Sequence, residues 1–117
     1  MQILFTGEDK TLKLDLADAD GNVLNYADLD DMKVIATINR IVVAKYSKEP
    51  LAGFDDITIG DNAHQAQILL TRQQTSTFST GMLRLQIDMI ITDADFNAGR
   101  LDSQEAEVFE VKKGTHS

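Results

Sequence analysis

The chain contains no cysteine and no tryptophan, one proline (Pro50) and two histidines, and these shortages exclude a good deal. Without cysteine there is no disulfide framework, no thiolate nucleophile, and no zinc or iron–sulfur site built on sulfur. His64 stands alone and His116 lies in the polar tail at residues 113–117, so neither a histidine-rich metal site nor a serine triad can be assembled. Basic residues are also scarce: 11 Lys and Arg face 19 Asp and Glu, a net charge of −8, with no basic run. Phosphate backbones are held by clustered Lys and Arg, so nucleic acid is not expected as a partner. No apolar run approaches the roughly 20 residues that span a bilayer. The opening MQILFTGEDK has neither a basic n-region nor a long apolar segment, so no signal peptide and no membrane partner are expected.

What is present is alternation. Leu12, Leu14 and Leu16 alternate with Lys13, Asp15 and Ala17, which with a side-chain period of two puts the leucines on one face of a strand. The acidic, glycine-bearing turn ADADGN (Ala17 to Asn22) follows, then NYADLDD (Asn25 to Asp31), read as a loop or one helical turn carrying Tyr26 and Leu29 inward. Met32 to Tyr46 is rich in β-branched residues and too long for one ordinary strand. It predicts two strands, or one bent strand with a bulge near Asn39. Ser47 to Asp56 holds Pro50 and Gly53 and reads as a surface loop. Gln65 to Thr71 alternates again, and RQQTSTFST (Arg72 to Thr80) reads as a connection pinned by Phe78. From Gly81, MLRLQIDMI places Leu83, Leu85, Ile87 and Met89 inward, and Glu105 to Lys112 closes the pattern after an acidic loop, Asp93 to Asp102.

Some six to eight short strands with regular turn signals, and no long helical period, predict a single all-β domain over residues 1–117, an antiparallel sandwich or barrel. Residues 1–6, with Ile3, Leu4 and Phe5, read as an edge strand or a docking arm, and these three are the candidate interface residues.

Two candidate sites need weighing against plainer readings. Asp93, Asp95 and Asn97 have the alternate spacing of the first ligands of an EF-hand calcium loop. The match then fails: the sixth position is Ala98, Gly99 comes one place late, and the twelfth is Gln104 where a bidentate Glu is needed. A solvated turn is the preferred reading and calcium at these three residues the alternative; no other cofactor is expected. Asp18, Asp20 and Asn22 repeat the spacing, and the two acidic loops could share an ion only if the fold joins them. The Gln/Thr/Ser run from Gln73 to Thr80 suits sugar hydroxyls but has few aromatic neighbours, so a crossover whose hydroxyls satisfy its own backbone is preferred. Carboxylate doublets (Asp30 with Asp31, Asp55 with Asp56) sit in loops, whereas general acid catalysis needs a buried carboxyl of raised pKa. No set of nucleophile, base and oxyanion donor emerges, and an enzyme is not expected.

Two stretches taken together, GEDKTLKLDLADADGNVLNYADLDDMKVIATI and ILLTRQQTSTFSTGMLRLQIDM, form the pattern strand, Asp-x-Asp-Gly turn, short loop, strand, then strand, Thr-centred crossover, and glycine opening a long strand. This resembles the small immunoglobulin-like β-sandwich domains of bacteriophage virion proteins, notably the N-terminal domain of baseplate upper proteins and related head-fibre and tail modules. The resemblance implies an immunoglobulin-like sandwich that acts as a non-enzymatic building block of a virion assembled in the host cytoplasm, with other virion proteins and copies of itself as partners. No long helical or fibre region follows the domain, so a stand-alone adaptor or decoration subunit is implied. The alternative from a different class is a calcium- or carbohydrate-dependent adhesion module.

Overall fold

A computed structural model describes residues 2–114; His116 and the rest of the tail from 115 to 117, with Met1, lie outside the described residues. Nine strands follow in chain order: β1 (Gln2–Phe5), β2 (Lys10–Asp15), β3 (Leu29–Ile38), β4 (Ile41–Ser47), β5 (Asp55–Asp56), β6 (Thr58–Ile59), β7 (Gln65–Leu70), β8 (Gly81–Asp93) and β9 (Phe96–Lys112). They form a six-stranded sheet in the order β1-β9-β8-β3-β4-β5 and a three-stranded sheet in the order β2-β7-β6. The all-β expectation holds. The strand count exceeds the expected range by one: the brief strand expected over Ile57 to Ile59 is present as β6, whereas β5 is a two-residue pairing that hydropathy cannot register. Pairing is not wholly antiparallel either: β1 runs parallel to β9, and β5 parallel to β4.

One apolar cluster is shared by both sheets. Val34, Ala36 and Ile38 of β3 and Leu83, Leu85 and Met89 of β8 meet Ala66, Ile68 and Leu70 of β7, all of them buried. Leu12 and Leu14 of β2 are half-buried against the same cluster, and Leu16 is buried. Met32 to Tyr46 resolves into two strands joined at Asn39 and Arg40, whose φ values of 53° and 68° define a tight turn. That backbone matches the right-handed twist of a hairpin. The extra β4 residue, Val43, is bulged, since Ala36 pairs with Ala44 but Thr37 with Val42.

Two segments differ from expectation. Asp93 to Asp102 is not a loop but the end of a long hairpin: Asp93 pairs with Phe96 across a two-residue turn, and β9 then runs to Lys112. Pairing with β8 satisfies the backbone there despite the turn-forming composition. Two extra residues separate the Asp93–Phe96 pair from the Ile91–Arg100 pair, and Gly99 at φ 82° absorbs them. A second bulge, at Val108, explains why Phe109 and Val111 are out of phase with Ala106 yet buried. Within the presumed connection, Arg72–Thr75 forms one helical turn, α1, closed by a reciprocal capping box between Thr71 and Gln74. The Tyr26–Asp28 segment is a single 3-10 turn, as the loop or helical-turn reading allows. The Ser47 to Asp56 loop contributes β5 at its end.

Candidate functional site

The fold brings the two acidic loops together, and the cation between them is the chain's own Arg100. Its Nε lies 3.3 Å from Asp93 Oδ2, and its terminal nitrogens lie 3.7 Å from Asp18 Oδ2 and 3.9 Å from Asp102 Oδ2. Asp18 and Asp102 are buried. Asp18 closes its own turn, accepting from the backbone N–H groups of Asp20 and Asn22 through Oδ1 and from Asn22 Nδ2 through Oδ2. The Asn22 backbone and side-chain bonds hold the Asp18 carboxyl below the usual carboxylate range against the opposing effect of burial, with Asp20 N–H and Arg100 adding to the depression. Asp102 Oδ2 accepts from Ala19 N–H, and Gln104 Nε2 donates both to Asp102 Oδ1 and to the Ala17 carbonyl. The turn is thereby fastened to β9.

Of the three candidate calcium ligands, Asp93 is committed to Arg100 and to the Asp95 N–H, while Asp95 and Asn97 are exposed. Among the described residues no group of three or more His, Asp or Glu is disposed to hold a metal ion. Arg100, Asp102 and Gln104 carry this junction, and the sequence does not single them out because turn-forming residues from Asp93 to Gly99 lead into them. The alternation of Asp102, Gln104 and Ala106 was the available signal.

The candidate interface residues divide. Leu4 is fully buried and belongs to the core, whereas Ile3 and Phe5 are 43% and 46% exposed on the edge strand. The Phe5 N–H donates to Glu8 Oε1, so part of that edge is already occupied. The crossover grips the same corner. Thr75, fully buried, donates through Oγ1 to the Glu8 carbonyl and accepts from the Gly7 N–H. Ser76 and Thr77 hydroxyls donate to the Arg72 and Gln74 carbonyls, as expected of a run that satisfies its own backbone.

Residues Gln73, Gln74 and Thr71 of the crossover line an open groove between the two sheets, with Tyr46, Asp55 and Gln67 on the other walls. Tyr46 spans the sheets there: its ring is buried and its hydroxyl donates to the Leu69 carbonyl at 2.9 Å. Burial, reinforced by the charge of Asp55, pushes its phenol well above the ordinary range. Of the carboxylate doublets, Asp31 has burial acting to raise its carboxyl, but hydrogen bonds from Glu49 N–H, Lys33 and Met32 N–H together hold it below the usual range. Asp30 accepts from the Thr92 hydroxyl, and Gln74 Nε2 donates to Asp55. His64 is exposed in the loop before β7.

No helix among the described residues is long and apolar enough to cross a membrane. Compared with protein-family models, curated proteins and solved structures, the chain matches none.

Proposed function

We propose that the chain is a non-enzymatic structural component of a bacteriophage virion, an immunoglobulin-like β-sandwich working as a baseplate, tail or head-fibre adaptor or decoration subunit. The observation that carries the reading is strand order. The succession β9-β8-β3-β4 against β2-β7-β6 is the order in which a variable-type immunoglobulin domain arranges G-F-C-C′ against B-E-D, while β5, at the C″ edge, departs from it by running parallel to β4. It supports the sequence resemblance independently of the turn glycines and leucines on which that resemblance rests. The chain departs from antibody domains in its pin: leucines on β2 and β8 stand where those domains place a disulfide, and β3 carries Met32 and Val34 without a tryptophan. Because a fold alone does not fix a function, the virion role is an analogy at the level of fold.

Subunit contacts would use the exposed edge residues Ile3 and Phe5, together with the sheet faces. Mass spectrometry of purified particles from the phage that encodes the chain tests the reading. Peptides from residues 2–114 at a fixed copy number per particle are expected, and particles free of them would overturn it. A second reading, a carbohydrate-binding module, is favoured by the amide- and carboxylate-lined groove around Gln67, Gln73 and Asp55. Binding of the purified protein to an array of host-surface glycans, lost in Gln73→Ala, would select that reading instead.

A further inference from the structure

The outer face of the six-stranded sheet carries its charges in rows that complement one another under a two-fold rotation. The register defines the rows. Glu105 of β9 pairs with Gln86 of β8, Gln86 with Ile35 of β3, and Ile35 with Lys45 of β4. One row further along, Ser103, Asp88, Lys33 and Ser47 succeed one another in the same way. In these two rows the acidic groups lie on β9 and β8 and the basic ones on β3 and β4; outside them Arg84 of β8 pairs with Glu107 of β9, and Asp31 of β3 lies 3.2 Å from Lys33, so Lys33 would bridge its own Asp31 and the second copy. Ile35 and Gln86 occupy the middle.

We propose that this face binds a second copy of the same chain, the two copies packing sheet to sheet about a two-fold axis that runs between β8 and β3 and parallel to them. Such an axis lays β9 of one copy over β4 of the other, and β8 over β3, while keeping every row in step. Glu105 then meets Lys45 of the second copy, and Asp88 meets Lys33 of the second copy. Symmetry doubles each pair, giving the isologous contact expected of a homodimer. A two-fold axis across the strands would instead set β9 on β9, bringing Glu105 and Glu107 against their own copies, so the charge pattern selects one arrangement and disfavours the other.

Geometry and chemistry are compatible with this contact. Aligned sheets cross at about 30°, which displaces groups about 7 Å from the axis by some 4 Å, within the reach of a lysine side chain. Lys45 and Glu105 are exposed, and among the described residues neither has a carboxylate or cationic partner in its own chain. Lys45 instead rests over the Phe54 ring at 4.9 Å, an arrangement that keeps its ammonium at the surface. Four strands over eight residues give about 500 Å² of projected area per copy, or about 1,000 Å² in all, the lower bound for a specific interface. The dimer is accordingly concentration-dependent.

This inference rests on the reading of the chain as a subunit-contact protein and names one of its contacts. Sedimentation of the full chain from about 1 to 500 µM is expected to show mass rising from 12.9 kDa toward twice that value. Lys45→Glu and Glu105→Lys should each weaken association by about tenfold or more, and the double charge swap should restore it to within about threefold. Melting curves accompany each variant. Because the chain has no cysteine, a variant carrying both Lys45→Cys and Glu105→Cys gives a second readout. Within one chain these positions are three strand spacings apart, about 14 Å, too far for a disulfide, so mild oxidation should yield covalent dimers only across the proposed contact. A monomer at all concentrations with no crosslink overturns the inference, as does a swap that fails to restore association while the variants melt like wild type. In either case the particle measurement above stands on its own, so failure here is distinguishable from failure of the virion reading.

Discussion

Gly21 and Gly99 have nearly the same backbone conformation, φ 86° and 82°, but very different surroundings, which lets conformational strain be separated from crowding. A Cβ added at Gly21 has nothing within 4 Å. One added at Gly99 would lie 2.6 Å from Ile90 Cγ2, 3.0 Å from Asp30 Oδ2 and 3.1 Å from the Ile91 carbonyl oxygen. The isoleucine methyl can turn aside; the carbonyl belongs to the backbone of β8 and moves only with that strand. Holding an L-residue in the left-handed region costs about 1–2 kcal/mol. Overpacking against a fixed neighbour adds about 1–3 kcal/mol. Gly21→Ala is therefore expected to lose about 1–2 kcal/mol and Gly99→Ala about 2–5 kcal/mol. With an unfolding entropy near 2.1 cal/mol/K per residue, 117 residues give about 0.25 kcal/mol/K, so each kcal/mol lowers Tm by about 4 °C. Thermal melts followed by circular dichroism should show drops of about 4–8 °C and 8–20 °C respectively. Equal drops would refute the claim that the β8–β9 hairpin closes tightly on Gly99, and a larger drop at Gly21 would refute the placement of the hairpin altogether.

Three further outcomes are expected. Tyr46→Phe removes the hydroxyl that joins β4 to the Leu69 carbonyl of β7, and urea unfolding should register a loss of about 0.5–1.5 kcal/mol, more than an exposed substitution such as Thr11→Ala. Asp18 is held below its unfolded pKa, so in the acid range the unfolded chain binds more protons than the folded one. Its contribution is fully present above the unfolded carboxyl value of about 4 and is lost as pH falls through the lower folded value; melts of Asp18→Asn should be lower at neutral pH and less steep below pH 4 than wild type. Calcium at about 5 mM, above the range of weak extracellular sites, should leave Tm unmoved in wild type and in Asp93→Ala alike, because Arg100 occupies the space between the carboxylates; a rise confined to wild type would reassign Asp93 as a ligand.

The leucine face of β2 and the inward set Leu83, Leu85 and Met89 were legible because a period of two is a local property, and burial on one side is the commonest reason for it. The break at Asn39 was legible for a similar reason: two polar residues between β-branched runs offer few conformations other than a turn. The Arg100 junction was not. Asp18 and Asp102 are 84 positions apart, and nothing at either end says that the turn after β2 is sewn to the inner side of β9. Composition also misdirected the reading of Asp93 to Asp102, where turn-forming residues sit in a strand whose backbone partner is supplied from β8. Parallel pairing of β1 with β9 was equally invisible, since the hydrogen bonds come from residues more than a hundred positions away.

Sequence alone thus determined an all-β chain, its main inward faces and its turns, each set by side-chain alternation or by local backbone preference. Tertiary structure alone decided sheet order, the two parallel edges, the conversion of an acidic loop into a bulged hairpin, and the convergence of three carboxylates on Arg100. Those outcomes depend on which distant backbone groups and charges meet once the core has closed, and no local window contains that information.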